Sequence, residues 1–146
     1  MSHATHRFDL RIYYEDTDHG GVVYYANYLK YMERARTEFM RLCGIELDAL
    51  QHDSGILFAV TEAYVHYRRP ARFNDALWVC SELKHAQGAR LAFRQVVMRN
   101  NETLVEGDIK LACIDTEGRA CRIPQAILNN IRQALPKSSP KGNRHE

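Results

Sequence analysis

The chain predicts an α+β fold in which one antiparallel sheet curls around a single long helix. Three observations carry this reading: an alternating stretch near the N-terminus, an uninterrupted helical stripe from Asn27, and four alternating stretches between residues 57 and 113. Alternation along each strand suits a sheet with one covered face, and the helix is the natural cover. The 146 residues, 45% of them hydrophobic and 26% charged, suffice for one domain with an ordinary core.

Residues 7–15 alternate first. Phe8, Leu10, Ile12 and Tyr14 share one face, and Arg7, Asp9, Arg11 and Glu15 the other, as in a half-buried strand. Asp18-His19-Gly20-Gly21 reads as a turn. From Asn27 the period becomes helical, with Tyr28, Met32, Ala35, Phe39 and Leu42 on one stripe and Lys30, Arg34, Thr37 and Arg41 opposite. Asn27 reads as the N-cap and Gly44 as the residue that closes the C-terminus. Such a helix spans roughly 24 Å at about 1.5 Å per residue, long for so small a domain. It must therefore be central.

A loop over Asp48 to Gly55 leads to strands at Leu57–Tyr67, around Leu77–Lys84, at Ala89–Arg99 and around Val105–Cys113. In the second of these Leu77, Val79, Ser81 and Leu83 face one way. In the last, Val105, Ile109, Leu111 and Cys113 oppose Glu106, Asp108 and Lys110. Asp115–Gly118 is a turn, and Pro124 opens a short helix carrying Ile127, Leu128 and Ile131. The domain runs over residues 1–135, and the Lys/Ser/Pro-rich segment 136–146 reads as a disordered tail. Edge strands and a partly apolar outer face predict at least a dimer.

A formal charge of +2 with interleaved acids and bases does not argue for nucleic acid, and the strands lack an exposed aromatic-and-basic platform. No apolar run approaches a membrane span, and the polar N-terminus lacks the apolar centre of a signal peptide, so the cytoplasm is expected. Cys43, Cys80, Cys113 and Cys121 form no CxxC pair and read as small hydrophobes in a reducing compartment. No metal or redox cofactor is implied.

The chemistry concentrates in Tyr14-Glu15-Asp16-Thr17-Asp18-His19-Gly20-Gly21, placed between a strand and a helix start. A carboxylate there, best Asp18, faces the unpaired amide hydrogens and the dipole of a helix N-terminus. An acid opposite an oxyanion site is the minimum equipment for hydrolysing an activated acyl compound. Glu15 and Asp16 are alternatives that otherwise solvate the turn. Glu33, within the helix, is a rival that otherwise pairs with Arg36. His19 is a solvent-facing turn residue or a proton partner for the acid. Arg68, Arg69 and Arg72 suit phosphate, or form a basic rim. Tyr13, Tyr14, Tyr24 and Tyr28 line an acyl pocket or belong to the core.

The run Tyr14-Glu15-Asp16-Thr17-Asp18-x-Gly20-Gly21-Val22-Val23-Tyr24, with Asn27-Tyr28, Tyr31–Glu38 and Tyr67–Arg72, closely resembles the YbgC-type acyl-CoA thioesterases. The resemblance covers roughly residues 7 to 133. That group includes 4-hydroxybenzoyl-CoA thioesterase, and many of its members are encoded beside the Tol–Pal envelope system. The resemblance implies a single hotdog domain that hydrolyses acyl-CoA, with acyl carrier protein as another acyl donor. It also implies a homo-oligomer, a dimer or a tetrameric dimer of dimers, with sites at subunit interfaces. By resemblance Asp18 is the catalytic acid, and Tyr25 holds the position whose backbone N–H polarises the thioester carbonyl. Gly21, Val22 and Tyr24 join the three arginines as candidate substrate-binding residues. Many relatives carry histidine where Tyr25 stands, so only a backbone role transfers. Two other readings stay open: a non-catalytic acyl-thioester binding module, and a hotdog dehydratase or isomerase.

Overall fold

The computed structural model describes residues 5–135, so the 136–146 tail lies outside the described residues. Its elements are β1 (Thr5–Arg11), α1 (Asn27–Leu42), α2 (Leu47–Ser54), β2 (Leu57–Tyr67), β3 (Ala76–Gln87), β4 (Arg90–Arg99), β5 (Glu102–Ile114) and α3 (Gln125–Arg132). The strands form one antiparallel sheet in the order β1-β3-β4-β5-β2, with α1 laid across its inner face in the hotdog arrangement.

Alternation fixes which face is covered. Leu77, Val79, Ser81 and Leu83 of β3 are buried, and so are Val105, Gly107, Ile109, Leu111 and Cys113 of β5. Against them α1 buries Tyr28, Tyr31, Met32, Ala35, Phe39 and Met40. At Gly107 a Cβ would stand 3.1 Å from Met32 Sδ, so the missing side chain lets the helix sit low on the sheet. One polar knot pins helix to sheet. Gln95 Nε2 donates to Met32 O and Ser81 Oγ (2.9 Å each), and its Oε1 accepts from Arg36 Nη1 at 2.8 Å. Buried polar groups satisfied in this way fix one register of helix on sheet.

Three local readings are corrected. The first strand stops at Arg11 rather than Glu15, because Asp16 Oδ2 accepts the Tyr13 N–H (2.7 Å) and folds Tyr14–Asp16 into a 3-10 turn. Tyr14 is consequently 79% exposed. Asp48–Gly55 is not a loop but most of α2, anchored by buried Leu50 and closed by Gly55 with φ 68°. Asn27 is the first residue of α1 and not its cap, since Ala26 takes the capping position without a side-chain bond. The helix ends as expected: Gly44 N–H donates to Arg41 O and Ile45 N–H to Met40 O (2.9 Å each), a Schellman pattern. Leu42, in that last turn, is 72% exposed and leaves the stripe.

Strand β2 is an edge and crosses to β3 over residues 68–75. That crossing runs past the start of α1. Val23 N–H donates to Ala71 O (2.8 Å), and Ala71 N–H to the Tyr28 hydroxyl (2.9 Å).

Candidate active site

The segment between β1 and α1 folds back on itself. Asp18 N–H donates to Val22 O (2.9 Å), Gly21 N–H to Asp18 O (3.0 Å), and Thr17 bridges Val23. Gly21 sits at φ 79°, where a side chain is strained, which explains a glycine at this corner. The Asp18 side chain receives one bond here, from the Gly20 N–H at 2.9 Å. Asp16 is engaged differently. Its carboxylate takes the Tyr13 N–H, and its carbonyl takes Tyr24 N–H and Asn27 Nδ2, each at 2.9 Å. Of the two aspartates, Asp16 ties the turn and Asp18 is left to face a cleft.

That cleft has a volume of about 300 Å³ and brings together Asp18, Val22, Tyr25, Tyr67, Arg68 and Arg69. Tyr28 and Pro70 complete its wall. The first helical hydrogen bonds are donated by Asn27, Tyr28 and Leu29. The N–H groups of Tyr25 and Ala26, just before them, have no acceptor among the described residues. Asp18 and Tyr25, whose amide is free among the described residues, thus line one cavity at the start of a 16-residue helix. The Tyr25 ring, 61% exposed, meets Tyr67 edge-to-face at 5.8 Å. Burial raises the Tyr28 and Tyr67 hydroxyl pKa values, so both phenols stay neutral at physiological pH.

The other candidates divide. Arg68 and Arg69 line the cleft, each with Nε on a carboxylate: Glu106 at 2.7 Å and Glu102 at 3.2 Å. Arg72 lies outside the lining and pairs through its backbone with Asp75, while Gly21 and Tyr24 stand beside the cleft. His19 is exposed on the turn and does not line the cavity. Tyr13 and Tyr14 point away from it as well, and Tyr14 packs on Phe73.

Glu33 lines a second, larger cavity of about 450 Å³ between α1 and strands β2, β4 and β5. This groove is mainly apolar, walled by Leu29, Phe58, Val60, Phe93, Ile109 and Leu111. It begins one helical turn beyond Tyr25, at Leu29, and four residues before Tyr67 on β2, at Ala63. The expected Glu33–Arg36 pair is not among the ion pairs of the described residues, because Arg36 turns inward to Gln95. Burial lowers the Arg36 pKa, and Glu33 opposes that shift.

Sequence reasoning missed Tyr67 and Pro70 as wall residues and Asn27 as a tie. The first two adjoin the arginine pair, and the signal was an aromatic residue directly before it. Nothing local reveals Asn27, whose partner is a backbone carbonyl 11 residues earlier.

Residues 13–131 match the family described as the Thioesterase-like superfamily. A Haemophilus influenzae protein, acyl-CoA thioesterase YbgC, is 41% identical over 108 residues, covering 74% of this chain and 79% of that one. An Escherichia coli O157:H7 protein, acyl-CoA thioester hydrolase YbgC, is 36% identical over 135 residues, covering 91% and 100%. Among solved structures, a Bartonella henselae protein described as a probable thioesterase is 35% identical. It superposes with a TM-score of 0.79 over 83% of this chain and all of that one.

Proposed function

We infer, for a chain that belongs to the Thioesterase-like superfamily, an acyl-CoA thioesterase that works with Asp18 and the start of α1. The overall change is water plus acyl-CoA giving the free acid and coenzyme A. Asp18 attacks the thioester carbonyl to give a mixed anhydride that water then hydrolyses, or it takes a proton from a water that attacks the carbonyl directly. The C–S bond then breaks and the sulfur leaves as thiolate, a good leaving group because a free thiol has a pKa of about 8.5. The oxyanion that forms is held by the free amide hydrogens at Tyr25 and Ala26.

The observation that carries this reading is the shared cleft: Asp18 and Tyr25 line one cavity just before a helix, where the Tyr25 and Ala26 N–H groups are unpaired among the described residues. The apolar groove that opens one turn along α1 suits the acyl chain. Among the described residues Arg68 and Arg69 meet their carboxylates through Nε, which leaves the outer guanidinium nitrogens for the phosphates of coenzyme A or of acyl carrier protein.

The same reading includes a homo-oligomer. The β2 edge has unpaired backbone and exposes Val60, Tyr64 and Tyr67, and a second copy of that edge would cover them. Among the described residues no helix is long and apolar enough to cross a membrane. A thiol-release assay over short, long and aromatic acyl-CoAs, run on wild type and Asp18→Asn, tests the proposal. Release by wild type alone supports it. Binding of acyl-CoA without release by wild type would make the chain a carrier or binding module instead.

A further inference from the structure

We propose that Asn27 is a positioning residue, whose side-chain amide sets where the acid turn stands relative to the start of α1. The inference rests on the reading of Asp18 as the catalytic acid. Asn27 lines neither cavity, so it does not touch the acyl group. It opens α1 without capping it, and its amide is spent outside the helix, on Asp16 O at 2.9 Å. The same carbonyl accepts the Tyr24 N–H, also at 2.9 Å.

Asp16 lies two residues before Asp18, while Asn27 lies two after Tyr25. The bond therefore joins the two halves of the site from behind. Three contacts fix their separation: Tyr24 N–H to Asp16 O, Asp18 N–H to Val22 O, and Asn27 Nδ2 to Asp16 O. Of these three, only the third belongs to a side chain, and it runs directly from the first residue of the helix to the turn. The first two hold the turn together internally, and Val23 N–H holds its far arm to Ala71 O at 2.8 Å, so the Asn27 amide is the side-chain bond that sets the Asp16 arm against the helix start. Asp18 is exposed and, among the described residues, its carboxylate is bonded only by Gly20 N–H, so little else holds it on its target. A shift of the acid by about 1 Å costs on the order of a hundredfold in rate.

Asn27→Ala and Asn27→Asp test this together. The aspartate is isosteric and suits the first turn of a helix, but it cannot donate to a carbonyl. Both variants are expected to lose about ten- to a hundredfold in kcat with KM within about twofold of wild type. Asn27→Asp should show no fall in thermal midpoint. Single-turnover rates with Asn27→Ala in an Asp18→Asn background should show no further loss, since the amide acts through the acid.

Wild-type kcat in either folded variant overturns the proposal. So does an equal fractional loss in both backgrounds, which would assign Asn27 to the helix alone. Should Asn27→Ala not fold, Asn27→Asp decides. Near-normal turnover by Asp18→Asn itself would instead remove the underlying reading of the acid, whatever the Asn27 variants do.

Discussion

Two carboxylates stand beside cavities along the same helix, Asp18 at its start and Glu33 well inside it, and their surroundings suit them to different tasks. Around Asp18 the backbone is irregular, and the amides of Tyr25 and Ala26 are free among the described residues. Around Glu33 every backbone amide lies within the helix ladder, where it already donates to a carbonyl one turn back. Glu33 also faces a mostly apolar groove, next to an Arg36 committed to Gln95. A carboxylate alone does not make a hydrolytic site. The helix start adds donors that a helix middle cannot supply.

The largest effect expected from this contrast is on turnover. Asp18→Ala should lower kcat by at least about a thousandfold, whereas Glu33→Gln should change it by less than about fivefold. Thiol release at saturating acyl-CoA checks both. Comparable losses in the two variants would erase the distinction.

The next effect is on stability, and it belongs to the helix middle. Gln95→Leu leaves the half-buried Arg36 guanidinium without its acceptor and Ser81 without its donor. It should cost about 3 kcal/mol in urea unfolding while kcat of the folded fraction stays near wild type. A smaller effect should separate the cavities by substrate. Ala63→Phe narrows the groove where it opens beyond the cleft, past the reach of a short acyl chain. It should lower kcat/KM about tenfold for long acyl chains and leave short ones within about twofold. Equal losses for both lengths would place the chain elsewhere.

The smallest concerns pH. Arg68, and then Arg94, hold the Glu106 carboxylate below its ordinary 4.5. A depressed folded value means the pair stabilises above pH 4.5, and the contribution fades as pH falls through the folded value. Glu106→Gln should therefore lower the urea midpoint slightly at about pH 7, and the difference should shrink as pH falls through the folded Glu106 value. A constant difference would assign the effect to packing.

The fold was legible because covered faces write themselves as periods. The strands around Leu77–Leu83 and Val105–Cys113 and the stripe through Met32, Ala35 and Phe39 all bury as their spacing demands. What the sequence hid is where one local bond overrides a period. Asp16 keeps the first strand from continuing beyond buried Ile12 by capturing the Tyr13 amide, and Tyr14 swings out. Short α2 was hidden because a single buried leucine in eight residues leaves almost no stripe. In the site, the place of Asp18 before the helix was readable from the local pattern, and Tyr25 came from the resemblance; both line the cleft. The roles of Gln95 and Asn27 were not, because each bonds to a partner far along the chain.

The convergence of Asp18 and the helix-start amides on one carbonyl is open to direct measurement. Asp18→Asn bound to a carbonyl-labelled acyl-CoA can be followed by difference infrared spectroscopy and by thiol release in the same sample. Donation from the Tyr25 and Ala26 amides should move the thioester carbonyl band to lower frequency while the bound substrate stays intact. A band at its solution frequency, or thiol released at close to the wild-type rate, would contradict the account.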